Sequence, residues 1–340
     1  MEQIPLAVQT VYAELLEQCR SDSGVTGSLY ERTTKGVTYA YLKTQVGEKR
    51  IDTYVGKLTE DTTVAALRAI KNANQSLRGR RQLVQMLKQN LPSPHASLAN
   101  VLDVLRWGGL AADAIVVGTN AYACYPALVG YKLDAASMGT EDVDIATLNL
   151  AVRPMRDGQN FEQLLQLADA SFKALPSLSK KAFPSSFRAA NGFRVDLLTQ
   201  QRSSRGESSV PLPNLQAGAT PLQHLGWLIH EPAKAVLLWG AGVPIQVPQP
   251  ARYAVHKLIV SQKRNPSERL KRRKDLVQAK SLIDVLLKSD PTSLFDAYES
   301  ACAQGKTGWK MPIDMSLREL GLSTEFMAHP SRLARARTSG

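Results

Sequence analysis

Asp142 and Asp144 lie one residue apart in the apolar run DVDIA. Upstream, Gly118 and Thr119 close another apolar run, IVVGT, and 22 residues (120–141) separate Thr119 from Asp142. Side chains two apart on a strand point to one face. Two carboxylates held there repel each other unless a cation compensates them. A strand followed by Gly, a hydroxyl residue and a helix turns backbone N–H groups and the helix start toward an anion. At that turn Gly118 admits a phosphate to the backbone, Thr119 offers a hydroxyl, and Asn120 either caps the helix or reaches the ligand. Together these residues spell a metal–phosphate site. A third carboxylate, Asp196 in FRVDLLT, is flanked by Val195 and Leu197 and so takes the face opposite theirs. Three carboxylates on adjacent strands suit two Mg²⁺ ions, with Mn²⁺ as the alternative, placed between a triphosphate and an attacking hydroxyl. In that scheme Asp196 orients or deprotonates the hydroxyl. A structural Gly-Thr cap and an ordinary edge-strand Asp are the plain readings of the same residues.

The elements that must position these groups are read from the hydrophobic pattern. Ala114–Val117 reads as a short buried strand, Asn120–Val129 as a short helix, and Val143–Val152 as the continuation of the carboxylate strand. Pro184–Ala190 and Phe193–Thr199 flank Asn191-Gly192, a two-residue hairpin signal that places Asp196 on the second strand. Phe161–Leu175 reads as an amphipathic helix. Gln201–Ala219 reads as a loop, whose RSSRGESS portion is a plain surface loop or a lid. Ala233–Trp239 and Val243–Val247 form a second hairpin, and helices are expected over Ala251–Gln262, Ser267–Leu287 and Ser293–Ala303. A basic tail with Arg332, Arg335 and Arg337 follows. Toward the N-terminus, Ile4–Cys19 reads as a helix and Gly24–Gly56 as a three-stranded meander turning at Lys35-Gly36 and Gly47-Glu48. Tyr30, Tyr39, Tyr41 and Tyr54 decorate it alongside Arg32, Lys35, Lys43, Lys49 and Arg50. Such a sheet holds nucleic acid or, more commonly, packs against a neighbour. Thr62–Leu91 is a helical segment that Gly79 is able to divide, with Arg78, Arg80 and Arg81 on a solvated face. Pro92-Ser93-Pro94 separates it from a helix over Ala96–Trp107.

Bulk composition narrows the class. A chain of 340 residues has room for two or three packed units, and 44% hydrophobic with 21% charged residues is ordinary for a globular protein. A net charge of +12 and a pI near 9.6 favour a polyanionic partner. Cys19, Cys124 and Cys302 lie far apart without CxxC spacing, which argues for a reducing cytosol and against a disulfide framework or a zinc site. The N-terminus lacks a signal-peptide pattern, and no apolar run is long enough to span a bilayer, so the expected location is cytoplasmic, without membrane contact. His95, His224, His230, His256 and His329 show no metal-ligand spacing and read as structural. Neither a Walker-type phosphate loop nor a GxSxG elbow is present.

The set Gly118-Thr119, Asp142-Val143-Asp144 and Asp196 resembles the polymerase-β-type nucleotidyltransferase superfamily. That pattern is an apolar residue, Gly, then Ser or Gly, followed by Asp-x-Asp and a carboxylate on a neighbouring strand. The strings VVGTNAYACY and TEDVDIA, the GSLYERTTKGVTYAYL meander and the PARYAVHKLIVSQKR and RRKDL segments are similar to a bacterial group related to the AbiE and MenT types. Thr119 replaces the usual Ser or Gly, and the interval 120–141 is longer than the superfamily commonly uses. The expected organisation is α+β: a polymerase-β-like core of mixed sheet flanked by helices over 111–249, after an N-terminal helix and basic meander (1–60) and a helical segment (61–110), and before a C-terminal helical domain (250–340).

The resemblance implies that Lys257 contacts the triphosphate, with Lys274 and Asp275 in support; neutralising phosphate charge is the physical task of such a lysine. It implies Mg²⁺-dependent transfer of a nucleoside monophosphate from an NTP to an acceptor hydroxyl, with release of pyrophosphate. Net charge and the Lys263–Lys274 ridge, seven basic residues against Glu268, favour RNA as acceptor, especially a tRNA end. Within that ridge Arg269, Lys271 and Arg272 read as a solvated face. A protein hydroxyl or a small molecule is the alternative acceptor, and a catalytically dead nucleic-acid-binding protein is the rival from another class. Likeness to the AbiE and MenT types further implies a toxin or phage-defence role with a cognate antitoxin or defence partner.

Overall fold

A computed structural model describes residues 2–20, 27–47, 49–139, 142–147, 160–176, 182–201 and 209–328 of the chain. In chain order these form α1 (Leu6–Arg20), β1 (Ser28–Thr34), β2 (Val37–Val46), β3 (Lys49–Lys57), α2 (Asp61–Leu87), α3 (Ala96–Trp107), β4 (Ile115–Val117), α4 (Gly118–Tyr122), α5 (Tyr125–Val129) and β5 (Asp142–Thr147). There follow α6 (Phe161–Ala168), β6 (Lys173–Ala174), β7 (Ser186–Arg188), β8 (Arg194–Gln200), β9 (Val210–Leu212), β10 (Ala217–Leu222), α7 (Leu225–Leu228), β11 (Ala233–Leu237) and β12 (Val243–Val247). The C-terminal helices are α8 (Pro250–Ser261), α9 (Arg269–Ser289), α10 (Pro291–Ala303), α11 (Met311–Glu319) and α12 (Ser323–Ala328). The fold is α+β. Among the described residues, no helix is long and apolar enough to cross a membrane.

The main sheet runs β11-β12-β4-β5-β8-β10-β9, with β7 on the first half of β8 and β6 beside β7. Its direction is mixed: β4 is antiparallel to β5, whereas β5, β8 and β10 are parallel. The alternation within β5 and β8 fixes which face is which. Val143, Ile145, Val195 and Leu197 are fully buried, while Asp142 and Asp144 occupy the intervening positions of β5. Full burial of such an aliphatic side chain stabilises by about 1.5–3 kcal/mol, so a one-residue slip that drove the carboxylates into the core is heavily disfavoured. Register is therefore locked by the apolar face.

Several expected elements change shape. The predicted helix over Asn120–Val129 is two short helices, α4 and α5, because Pro126 at the start of α5 supplies no N–H to a continuous ladder. Helix α6 stops at Ala168 rather than Leu175: Asp169 takes extended backbone and its carboxylate accepts from Ser171 N (2.8 Å) and Oγ (2.6 Å), turning the chain into β6. At the β7–β8 hairpin the closing pair is Ala189 with Phe193, with Gly192 at φ +91°, one residue wider than a two-residue turn. The expected loop over Gln201–Ala219 contains β9 and the start of β10. Ala217, Gly218 and Ala219 carry no strand signal of their own, and burial with pairing to β8 and β9 makes the strand. Residues 202–208 of the candidate lid (202–209) lie outside the described residues, as do 148–152 of the carboxylate strand and the basic tail with Arg332, Arg335 and Arg337. Helix α2 runs unbroken through Gly79, which sits exposed. Arg78 and Arg81 are solvated, but Arg80 is buried against α1 and donates to Cys19 Sγ (3.4 Å), a correction to its expected surface position.

The meander forms as expected, turning at Lys35 and Gly36, both with positive φ. Ala40, Leu42 and Val46 of β2 are buried, so Tyr39 and Tyr41 take the opposite face. There Tyr30, Tyr41 and Tyr54 stand in one row across the three strands. Tyr30 and Tyr41 stack at 5.4 Å, Tyr54 is 52% exposed, and Lys43 Nζ lies 5.1 Å from the Tyr30 ring.

Candidate active site

The long interval between Thr119 and Asp142 does not separate them in space. Strand β4 leads directly into Gly118, and β5 returns antiparallel beside it with Val117 paired to Asp144. On the other side of β5, Asp144 pairs with Asp196 and Asp142 with Arg194. Strand register thus sets Asp142, Asp144, Asp196 and Arg194 on one face, beside the Gly118 turn. Gly118 has φ +65°, and a β-carbon built there would lie 2.7 Å from Asp144 Oδ2. No other residue leaves the turn this close to the carboxylate.

Each carboxylate has a distinct environment. Asp196 accepts from Ser186 Oγ at 2.5 Å and pairs with Arg194 Nε at 2.8 Å. The same guanidinium reaches Asp142 Oδ2 at 3.3 Å, so Arg194 is the cation compensating both outer carboxylates. Asp144 accepts no hydrogen bond from any described residue; burial first, then repulsion from Asp142 and Asp196, pushes its carboxyl up to about 6. This like-charge cluster fits a hard divalent cation in donor chemistry. Among the described residues no group of three His, Cys, Asp or Glu side chains forms a ready-made metal cage, consistent with Arg194 bridging the outer pair. Asn120 donates to the Asp142 carbonyl at 2.6 Å. Its amide holds the start of β5. Helix α4 has only five residues, and the anion-directed helix start reduces to the backbone of one turn.

Helices α8 and α9 close the opposite wall of a cleft of about 490 Å³ that includes Gly118, Thr119, Asp142, Asp144, Lys257, Lys274 and Asp275. Lys257 is 8% exposed; its Nζ sits 2.5 Å from Asp275 Oδ1 and 5.2 Å from the Tyr253 ring centroid. Asp275 also accepts from Arg264 Nε at 2.9 Å, so it orients two cations. Lys274 Nζ donates to the Gly139 carbonyl at 2.8 Å, and desolvation followed by the neighbouring Lys257 lowers its pKa. The Tyr253 hydroxyl lies 2.9 Å from both the Gly118 carbonyl and Gln278 Oε1, and Gln278 Nε2 donates to the Ser137 carbonyl at 2.8 Å. These contacts tie α8 and α9 to the Gly118 turn and to the segment before Asp142.

Several residues of the basic ridge are paired at the surface. Arg272 forks onto Glu319, Lys271 binds Glu268 at 3.2 Å while lining the cleft, and Lys263 contacts Gln223 and His224. The expected solvated face holds for Arg269 and for Lys271, whose side chain is 68% exposed, while Arg272 is half-buried in its pair with Glu319. His224 and His256, expected to be structural, line the cleft as well. Burial lowers His224 to about 4 and His256 to about 3, with Lys263 and Lys257 respectively adding to the shift, so both rings are neutral at pH 7. His224 is also held at φ +64°, a region non-Gly residues rarely occupy.

A family model described as "Nucleotidyltransferase" matches residues 96–303, well over half of the chain. That span starts at α3, ends with α10 and contains every cleft residue named above. No curated protein and no solved structure matches the chain.

Proposed function

The chain belongs to this nucleotidyltransferase family, and from that premise we propose a Mg²⁺-dependent enzyme built on a polymerase-β-like core. It joins the α-phosphate of an NTP to an acceptor hydroxyl; the α–β phosphoanhydride breaks, pyrophosphate leaves, and the hydroxyl proton passes to solvent. One observation carries the reading: strand register stands Asp144 between the Val117–Gly118 turn and Asp196, with Asp142 on the same face and Lys257 across the cleft.

Asp142, Asp144 and Asp196 would hold the ions. Bound there, Mg²⁺ supplies Lewis-acid polarisation of the phosphate and acidifies the hydroxyl. The chain's own groups do the rest. The Gly118 turn lets Asp144 approach its backbone and borders the phosphate cleft, and Thr119 would add a hydroxyl there. Lys257, oriented by Asp275, neutralises phosphate charge, and Lys274 adds a second cation at the rim. Asp196, anchored by Ser186, would orient the acceptor hydroxyl.

RNA is the acceptor this reading favours. The tyrosine row of the meander, with Arg32 and Lys57 aligned to Tyr39 and Lys43 over Tyr30, offers stacking faces among cations. Incubation with each α-labelled NTP, Mg²⁺ and either total RNA or cell protein tests it. A ribonuclease-sensitive, protease-resistant product supports RNA, and a protease-sensitive one moves the acceptor to a protein hydroxyl. The toxin or defence role rests on family resemblance and predicts growth arrest on induced expression.

A further inference from the structure

Beside the cleft lies a second cavity of about 440 Å³, which shares Gln223, His224 and Lys263 with it. Two indoles, Trp227 and Trp309, meet edge-to-face in its wall at 5.7 Å. Trp227 is fixed from three sides: its Nε1 donates to Ser300 Oγ at 3.1 Å, Arg252 lies 4.9 Å from its ring centroid, and Trp309 abuts it. Trp309 in turn packs on the strained His224 at 4.2 Å. The wall is thus rigid, as a site that must recognise a flat ring requires.

The remaining lining is polar in a specific way. The side-chain amides of Gln200 and Gln304 border the cavity and bond to no described residue, and each carries a donor beside an acceptor. At Gly308 a β-carbon would meet nothing within 4 Å, so the cavity is open over that glycine. Lys263, on the shared wall, supplies a cation where the cavity joins the phosphate-suited cleft.

Fixed aromatic faces, unpaired amides and a cation on the side of the cleft match a planar heterocycle tethered to a phosphate. We propose that this cavity is a nucleobase subsite, holding the base of a nucleotide whose phosphate lies in the cleft. It deepens the nucleotidyl-transfer reading and rests on it for the identity of the phosphate site. A phosphosugar without a base would leave both indoles uncovered.

Direct binding tests the subsite apart from catalysis. The full chain, without added metal, is titrated with AMP, GMP, CMP and UMP and with ribose 5-phosphate, following tryptophan fluorescence. At least one nucleotide should quench and saturate while ribose 5-phosphate does not. Gly308→Leu, which fills open space, should weaken that nucleotide at least tenfold, and Trp309→Leu should remove most of the quench. In the labelling reaction Gly308→Leu should raise KM for the NTP if the incoming base sits there, or KM for the acceptor if the acceptor's base does. Equal response to ribose 5-phosphate, or wild-type nucleotide binding by Gly308→Leu, would overturn the subsite. Base-dependent binding with no label transfer to any acceptor would leave the subsite standing and remove the transfer reading.

Discussion

Gly118 and Asp144 are a fitted pair: the glycine's positive φ and missing side chain leave the space that Asp144 Oδ2 occupies, 2.7 Å from where a β-carbon would be. Gly118→Ala must therefore move the turn or the carboxylate. The backbone strain alone is on the order of 1–3 kcal/mol. Misplacement by about 1 Å is enough to cost about 100-fold in rate. The variant should melt lower and lose about two orders of magnitude in transfer. A Gly118→Ala enzyme with wild-type kcat would show that the turn does not position the carboxylate.

Asp144 carries a pH-dependent cost in the metal-free protein. Its folded pKa is raised from 3.8 to about 6, so the fold favours the protonated form. The associated stability is full below pH 4 and is lost as pH rises through 6. Asp144→Asn removes the charged form. It should therefore stabilise the metal-free chain at pH 8 by up to about 3 kcal/mol, the equivalent of two pKa units, and change little at pH 4. Urea unfolding in chelator at the two pH values reads this directly, and an equal effect at both would exclude the assigned cause.

Arg194 occupies the electrostatic role that a divalent cation would take between Asp142 and Asp196. Removing it leaves three like charges on one face. Arg194→Gln should lower the metal-free melting temperature and reduce, several-fold, the Mg²⁺ concentration giving half-maximal thermal stabilisation. An unchanged or higher Mg²⁺ midpoint would mean that the arginine and the ion do not compete.

Lys257 and Asp275 form a buried ion pair, with side chains 10% and 4% exposed. Breaking such a pair by removing one partner destabilises by about 3–5 kcal/mol. Asp275→Asn should do so while also raising KM for the NTP, because Lys257 loses its orienting carboxylate. Lys257→Arg, which keeps the charge, should retain more of the NTP affinity than Lys257→Met. Equal KM values for the two lysine variants would remove the phosphate-neutralising role.

Much of the site follows from period-two alternation alone. DVDIA and FRVDLLT each interleave carboxylates with fully buried aliphatics, which is why both strands and their polar face are legible in the sequence. Arg194 obeys the same rule, two residues before Asp196 on the same face. Tyr253 and Lys257, four apart on α8, likewise share a helix face toward the cleft. Other features had no local signal. Strand β10 begins with Ala-Gly-Ala and exists through its neighbours. The Lys257–Asp275 pair joins two helices, and His224, at φ +64°, sits between Lys263 and Trp309 from other elements.

Transfer of label from an α-labelled NTP, with Mg²⁺ and total RNA, by the wild type and by Asp142→Asn/Asp144→Asn at matched folding tests the central claim most directly. The wild type should transfer label and release pyrophosphate, and the double variant should fall by about 1,000-fold or more, the several kcal/mol of charge stabilisation a bound metal supplies. Label transfer by the folded double variant at the wild-type rate would contradict it.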